Sequence, residues 1–118
     1  MLTITQEQMD EMLRNNHPQN LDADPYPVIR LFVPGSPANF LITSINQDGA
    51  TFFGIADYGI GLPELGYIAL SQILPITRKF YPTATPEVAV DDGFRPRARM
   101  SKYTAAAREH RKIVIDLE

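Results

Sequence analysis

The chain has 118 residues, of which 44% are hydrophobic and 21% charged, the composition of one globular domain and not of a disordered segment. It has no cysteine, which excludes a disulfide framework, cysteine-ligated zinc and a thiol nucleophile. The net charge of −3 conceals an uneven distribution, since residues 94–118 carry 7 basic and 3 acidic side chains while residues 1–93 carry 4 and 11.

The N-terminal segment, residues 1–18, predicts a helix and not a signal peptide. Thr5 and Gln8 have the spacing of a capping box, and Pro18 predicts the end of the helix, with His17 near its C-terminal cap. A signal peptide would need a basic region followed by an apolar one. The apolar runs of the chain are also shorter than the roughly 18 residues of a membrane span. We therefore expect a cytoplasmic protein without a membrane partner.

Residues 28–74 predict the core of the fold, a meander of strands. Their segments are rich in β-branched and aromatic residues and are joined by short turns, which connect antiparallel neighbours. In the second segment, alternation places Phe40 and Ile42 on one face and Ile45 on the other. The segments are Val28–Val33, Phe40–Asn46, Thr51–Ile55 and Leu65–Leu70, followed by a helical turn from Ser71 to Leu74.

The remaining chain predicts edge strands and a basic C-terminal helix within residues 95–118. Ser101 is placed to cap this helix, which runs to about Arg111. Ile113–Leu117 is either a last strand or an apolar tail, and an unpaired strand there could recruit a second copy as a homodimer. The predicted edge strands are Ile76–Tyr81 and Val88–Val90, and the predicted apolar stripe of the helix is Tyr103, Ala106, Ala107 and His110.

These elements predict a single domain of the α+β class over residues 1–118. Its centre is a mainly antiparallel sheet of about four to six strands, accompanied by an N-terminal and a C-terminal helix. Residues 76–97 are interrupted by prolines, and the pattern does not define their structure.

One combination of motifs resembles a known family. It consists of Phe52–Gly54, Pro63–Tyr67, Leu70, Ser71 and Ile73. This combination is similar to that of the small bacterial, phage and plasmid family catalogued as domain of unknown function 2958. The resemblance runs from Leu2 to about Tyr103 and is strongest over residues 28–74. It departs at Asn39–Thr43, where the family usually has a tryptophan-rich segment. The resemblance implies a compact α+β domain, often carried on mobile elements, without an established chemistry.

The loop between the third and fourth strands has two interpretations. Asp57 and Glu64 could form a carboxylate site for a cation or for acid–base chemistry. The favoured interpretation is structural, with Gly59, Gly61 and Gly66 accepting positive φ and Glu64 binding backbone N–H groups of the turn. The glycine spacing is not that of a phosphate-binding loop, and no lysine follows it. We therefore assign no catalytic residue, metal or cofactor.

Two surfaces are predicted to bind partners. The loop and the strand after it offer apolar and aromatic side chains for a protein partner, because an exposed tyrosine beside glycines is typical of an interface anchor. The C-terminal segment offers basic side chains for nucleic acid or an acidic partner. The protein-binding set is Tyr58, Ile60, Leu62, Glu64 and Tyr67, and the basic set is Arg95, Arg97, Arg99, Lys102, Arg108, Arg111 and Lys112.

The leading functional hypothesis is a non-enzymatic binding module of a mobile genetic element, such as a phage or plasmid accessory protein. Inhibition of a host defence nuclease is one concrete form, which the family resemblance implies. The alternative is a nucleic-acid-binding accessory protein that uses residues 95–112. A second alternative is a small enzyme with a carboxylate site at Asp57 and Glu64.

Overall fold

The architecture is that of a computed structural model, which describes residues 4–16, 23–73 and 88–117. Two helices and five strands lie within these ranges, and residues 70–73 form an additional helical turn. The elements in chain order are α1 (Gln6–Asn15), β1 (Ile29–Phe32), β2 (Asn39–Ile45), β3 (Thr51–Asp57), β4 (Glu64–Ala69), β5 (Ala89–Val90) and α2 (Met100–His110).

Helix α1 begins at the predicted capping box. The Thr5 hydroxyl accepts a hydrogen bond from the Gln8 amide at 3.1 Å, and the Gln8 side chain accepts one from the Thr5 amide at 3.0 Å. Two N–H groups that the first turn leaves without helical partners are thereby satisfied. The helix ends at Asn15 with Asn16 as its C-terminal cap, and the predicted role of His17 lies outside the described residues.

The described strands form one antiparallel sheet in the order β4-β3-β2-β1-β5. The turn between β2 and β3 is the predicted one, with Gly49 at a φ of 71°. The predicted edge strand Val88–Val90 is confirmed as β5, in which Val90 pairs with Leu31 of β1. The other predicted edge strand, Ile76–Tyr81, lies outside the described residues.

The sheet has an α1 face and an α2 face, each with its own buried cluster. On the α1 face, Met12 of α1 belongs to the cluster of Phe40, Phe52 and Ile68. On the α2 face, residues of α2 and of the chain around it pack on β2 and β3. That cluster consists of Leu41, Ile55, Phe94, Met100, Tyr103 and Ile113. A helix therefore packs on each side of the sheet and buries part of each face, in keeping with the predicted α+β class.

A β-bulge in β2 overturns one predicted facing. Ile42 pairs with Gly54, but Ser44 pairs with Phe53, so Thr43 is an extra residue in β2. The extra residue resets the alternation, and Ile45 joins the α1-face cluster instead of the opposite face. The Asn15 side chain at the end of α1 donates to the Thr43 carbonyl at 2.8 Å, which satisfies a polar group within the bulge.

The start of α2 differs from the prediction that Ser101 caps it. The helix begins at Met100, and Ser101 lies in its first turn. Asp24 supplies the capping acceptor from across the fold, because its carboxylate accepts from the Ser101 amide at 2.9 Å and from the Ser101 hydroxyl at 2.6 Å. An acidic side chain at a helix N-terminus also interacts favourably with the helix dipole.

The buried stripe of α2 is also shifted from the predicted one. Tyr103 and Ala107 are buried as expected, but Ala106 is only partly buried and His110 is exposed. Met100 and Thr104 replace them, so the stripe has the i, i+3, i+4 and i+7 spacing of a helix that starts packing at its first residue.

Residues 113–117 are an apolar tail and not a strand. Ile113 is buried in the α2-face cluster, with Ile115 and Leu117 packed against it. The Ile113 amide donates to the Asp57 carboxylate at 2.9 Å, so it bonds to a side chain instead of a neighbouring strand. The strand alternative was therefore wrong, and residues 113–117 offer no unpaired strand for pairing with a second copy.

The whole is one compact domain, since its Cα radius of gyration of 13.7 Å is that of a single domain of this length. Among the residues that the structure describes, none of the helices has the length and apolar character to cross a membrane.

Candidate interaction surface

The loop between β3 and β4 is held by Asp57. Its carboxylate accepts a hydrogen bond from the Gly59 amide at 2.8 Å, and Gly59 and Gly61 have φ values of 82° and 81°. These two glycines therefore take the positive φ that the sequence predicts. Gly66 does not, because it lies inside β4, opposite Gly54 of β3.

The two carboxylates proposed as an enzymatic pair point to opposite faces of the sheet. Glu64 pairs with Ala56, and cross-strand partners share a face, so Glu64 lies on the α1 face. Asp57 follows Ala56 and projects to the α2 face, where only 4% of it is exposed and it binds the Ile113 amide. The two groups therefore do not converge on a common ligand.

Asp57, and not Glu64, serves the turn. Glu64 is exposed, and within the described ranges no residue donates a hydrogen bond to it. The prediction that Glu64 binds the turn backbone is therefore wrong. The Gly59 amide of the loop donates to Asp57, at the end of β3, instead. The described residues also include no group of three histidine or acidic side chains placed to hold a metal ion.

Tyr58 is not the exposed anchor that the sequence predicts. It packs edge-to-face on Phe40 of the α1-face cluster, with ring centroids 5.6 Å apart. Burial, and secondarily the negative charge of Glu64, raise the pKa of the Tyr58 hydroxyl. Alternation explains the position, since Tyr58 follows Asp57 and so faces α1.

Four apolar side chains around β4 are strongly exposed. Ile60 and Leu62, in the loop, are 70% and 63% exposed. Leu65 and Tyr67, on β4, are 42% and 66% exposed and both lie on the α2 face, where Tyr67 contacts Phe53 with ring centroids 5.1 Å apart. The predicted protein-binding set includes Tyr67 but not Leu65 or Phe53. The two-residue spacing of Leu65 and Tyr67 in a predicted strand indicates that they share a face, and this pattern could have identified Leu65.

A groove of about 560 Å³ separates α2 from this part of the sheet. It exists because α2 covers Leu41 and Ile55 but not the outer half of the sheet face. Its floor includes Phe53 and Leu65, and Ala105 lies on its α2 wall. The complete lining is Asp24, Pro25, Thr43, Phe53, Leu65, Met100, Ser101, Thr104, Ala105 and Arg108.

Of the seven predicted basic residues, only Arg108 lines this groove, although all seven are exposed. Arg97, Arg99 and Lys102 line a separate depression with Tyr26, whose ring lies 5.1 Å from the Arg99 guanidinium carbon. The Arg95 guanidinium instead donates to backbone carbonyls of neighbouring residues.

The predicted basic helical face of Arg108, Arg111 and Lys112 does not form. Helix α2 ends at His110, and Arg111 has a φ of 60°, which turns the chain away from the helix axis. Arg111 and Lys112 therefore lie beyond the helix, and Arg108 is its last arginine.

Asp24, at the other end of the groove, titrates abnormally. The Ser101 hydroxyl and amide, together with the Arg99 charge, lower the pKa of Asp24 below its ordinary value of 3.8. A carboxyl group whose folded-state pKa is lowered stabilises the fold above its unfolded pKa and loses this contribution as the pH falls through the folded value.

We therefore expect Asp24→Asn to lower the free energy of unfolding near pH 7, since the amide keeps the shape but loses the charge. The difference from the wild type should begin to shrink below about pH 4 and disappear at lower pH, as the wild-type carboxyl becomes protonated. Urea unfolding at a series of pH values measures it. Asp92→Asn is the control, because its exposed side chain accepts no hydrogen bond from a described residue. A loss of unfolding free energy in Asp24→Asn that stays constant down to pH 2 would show that the Asp24 charge does not stabilise the fold.

Comparison with known protein families identifies the family of this chain. Residues 3–114 match the model of a family described as "Protein of unknown function (DUF2958)". No curated protein and no solved structure matches the chain.

Proposed function

The chain belongs to the DUF2958 family of proteins of unknown function, and we propose that it is a non-enzymatic module that binds another protein. The match confirms the resemblance carried by Phe52–Gly54 and Pro63–Tyr67, and it extends the resemblance through α2. The partner docks on the α2 face of β4, at a surface formed by Phe53, Leu65 and Tyr67, which we call the β4 patch.

The exposure of the β4 patch carries this proposal. Leu65 and Tyr67 lie two residues apart on one strand face, and both are exposed, Tyr67 more than Leu65. Contiguous exposed apolar surface beside a groove is typical of an interaction site, whereas single exposed apolar residues are ordinary. Tyrosine is also among the residues that most often dominate binding energy at interfaces.

The placement of the carboxylates favours binding over catalysis. Asp57 is occupied by two backbone amides, and Glu64 points to the opposite face. The alternative of a carboxylate enzyme has no convergent pair to support it. The other functional expectations stay predictions. They are carriage on a mobile genetic element, inhibition of a host defence nuclease, nucleic-acid binding by residues 95–112, a cytoplasmic location and a homodimer.

We expect Tyr67→Ser to weaken partner binding strongly and Tyr26→Ser to preserve it. The two tyrosines are 66% and 45% exposed, but Tyr26 lies beside Arg99, outside the β4 patch. Loss of an interface tyrosine should weaken binding by tenfold or more, corresponding to about 1.4 kcal/mol. The measurement is affinity capture from a lysate of the source organism, with bound proteins quantified by mass spectrometry.

Both variants should stay folded and unfold cooperatively in urea, because exposed side chains contribute little to stability. Tyr67→Ser should lower stability slightly, by about 1 kcal/mol, since it also removes the ring contact with Phe53. A protein retained by the wild type and by Tyr26→Ser, but lost with Tyr67→Ser, supports the proposal. Equal retention by all three proteins contradicts it.

A further inference from the structure

The groove beside the β4 patch has a helix on one side only. Helix α2 forms one wall, and the floor consists of side chains from β3 and β4 that α2 leaves uncovered, chiefly Phe53 and Leu65. An apolar sheet face is buried in a folded domain by packing against another element of secondary structure. Within residues 4–16, 23–73 and 88–117, no second helix lies beside α2 over this floor.

A chain segment that lies over this floor must satisfy its own backbone hydrogen bonds. Strand β3 is paired with β2 on one side and with β4 on the other, so the part of the floor around Phe53 has no free backbone groups to offer. An extended segment would find backbone partners only at the outer edge of β4, away from Phe53. A helix bonds its own backbone internally and can place an apolar stripe on the floor.

The α2 wall permits the close approach of a second helix. Ser101 and Ala105, which line the groove, are small and exposed. Packed helices lie about 8–10 Å apart, at the short end of this range where the contacting side chains are small.

The charges at the two ends of the groove are opposite. Arg108 lies at one end, and no described residue forms an ion pair with its guanidinium. Asp24 lies at the other end, where Ser101 donates two hydrogen bonds to its carboxylate. Ser101 and Arg108 are seven residues apart on α2, which corresponds to about 10 Å along the helix.

We propose that this groove binds an amphipathic helix of the partner protein, with apolar side chains on Phe53 and Leu65 and an aspartate or glutamate against Arg108. The proposal rests on the function proposed above and specifies the chemistry of the partner. The charges also place the acidic residue of the bound helix at the Arg108 end of the groove, away from Asp24.

The test is a selection from a displayed library of random peptides, each about 15 residues long. A helix of this length is marginal alone but is stabilised by packing of its apolar face. The full-length wild type is the bait, in parallel with Arg108→Glu, Leu65→Asp and the control Arg111→Glu. We expect the wild type to enrich peptides with apolar residues at i, i+3 or i+4 and an acidic residue at one end. These peptides should gain helical circular dichroism on binding.

The variants should change the selection in different ways. With Arg108→Glu, the wild-type peptides should bind at least tenfold more weakly, and peptides with a basic residue at the same position should replace them. Leu65→Asp should abolish enrichment. Arg111→Glu should enrich the same peptides as the wild-type bait, because Arg111 lies beyond the groove. Unfolding in urea checks that each bait is folded.

Three results would overturn the inference. Enriched peptides with strict two-residue alternation, insensitive to Arg108→Glu, would indicate strand addition at the edge of β4. Concentration-dependent self-association abolished by Leu65→Asp would identify the occupant as a second copy. Absence of any Leu65-dependent enrichment would show that the groove does not bind a peptide helix. A loss of capture with Tyr67→Ser, measured separately, would still support the protein-binding function in the first and third cases.

Discussion

Gly54→Ala is expected to destabilise the domain by about 3 kcal/mol or more, the largest effect of any exchange considered for this protein. A Cβ atom at Gly54 would lie only 1.9 Å from the Leu41 carbonyl oxygen and 2.9 Å from the Ile42 Cα. Both are backbone atoms of the neighbouring central strand, so no side-chain rotation can relieve the overlap. Either the β2–β3 pairing separates or the bulge at Thr43 is rearranged.

Gly66→Ala is the matched control, because Gly66 is the cross-strand partner of Gly54. No atom lies within 4 Å of a Cβ built at Gly66, and its φ is not positive. Its replacement should therefore change stability by no more than about 0.5 kcal/mol, as for other surface positions. The measurement is the urea midpoint and slope of cooperative unfolding. Equal midpoints for the two variants would mean that the close approach of β2 to Gly54 does not constrain the fold.

The second large effect is expected from Asp57→Asn, which should lower the free energy of unfolding by about 2–4 kcal/mol. The two carboxylate oxygens accept from two different amides, Gly59 in the loop and Ile113 in the tail. An asparagine has only one carbonyl oxygen, so its NH2 group must face one of these N–H donors. Either the buried Ile113 amide or the more exposed Gly59 amide is left unsatisfied, and the bond that remains loses its charge.

Glu64→Gln separates this role from a general effect of removing a carboxylate in the loop. Glu64 is exposed, so its replacement should leave stability within about 0.5 kcal/mol of the wild type. Limited trypsin digestion gives a second readout, because loss of the Ile113 contact should speed cleavage after Arg111 or Lys112 in Asp57→Asn alone. Greater destabilisation by Glu64→Gln than by Asp57→Asn would indicate that Glu64, and not Asp57, holds the turn.

Features set by neighbouring residues could be predicted from the sequence. The capping box of Thr5 and Gln8 and the turn at Gly49 each depend on a few consecutive residues, and the structure confirms both. The antiparallel meander also follows from short connections between strands. Family membership was likewise accessible, since its motifs are contiguous.

Features set by distant residues could not be predicted in this way. Ser101 looks like a cap, but Asp24, 77 positions away, is the acceptor, and no local pattern contains that pairing. The bulge at Thr43 depends on how β2 meets β3 and α1, so two-residue alternation misplaced Ile45. The groove was missed for the same reason, because its walls and floor come from separate parts of the chain and meet only after folding.

The contact between Asp24 and Ser101 also bears on the order in which the molecule assembles and opens. Strands β2, β3 and β4 are joined by connections of a few residues, whereas this contact closes a loop of 77 residues. The entropy lost on loop closure grows with loop length, so the meander forms at a smaller entropic penalty than the docking of α2. We therefore expect partial opening of the domain to begin with the release of α2, which would temporarily remove one wall of the proposed recognition site. Partner binding would then slow local opening of α2, and hydrogen exchange of its amides would report how often the site is complete.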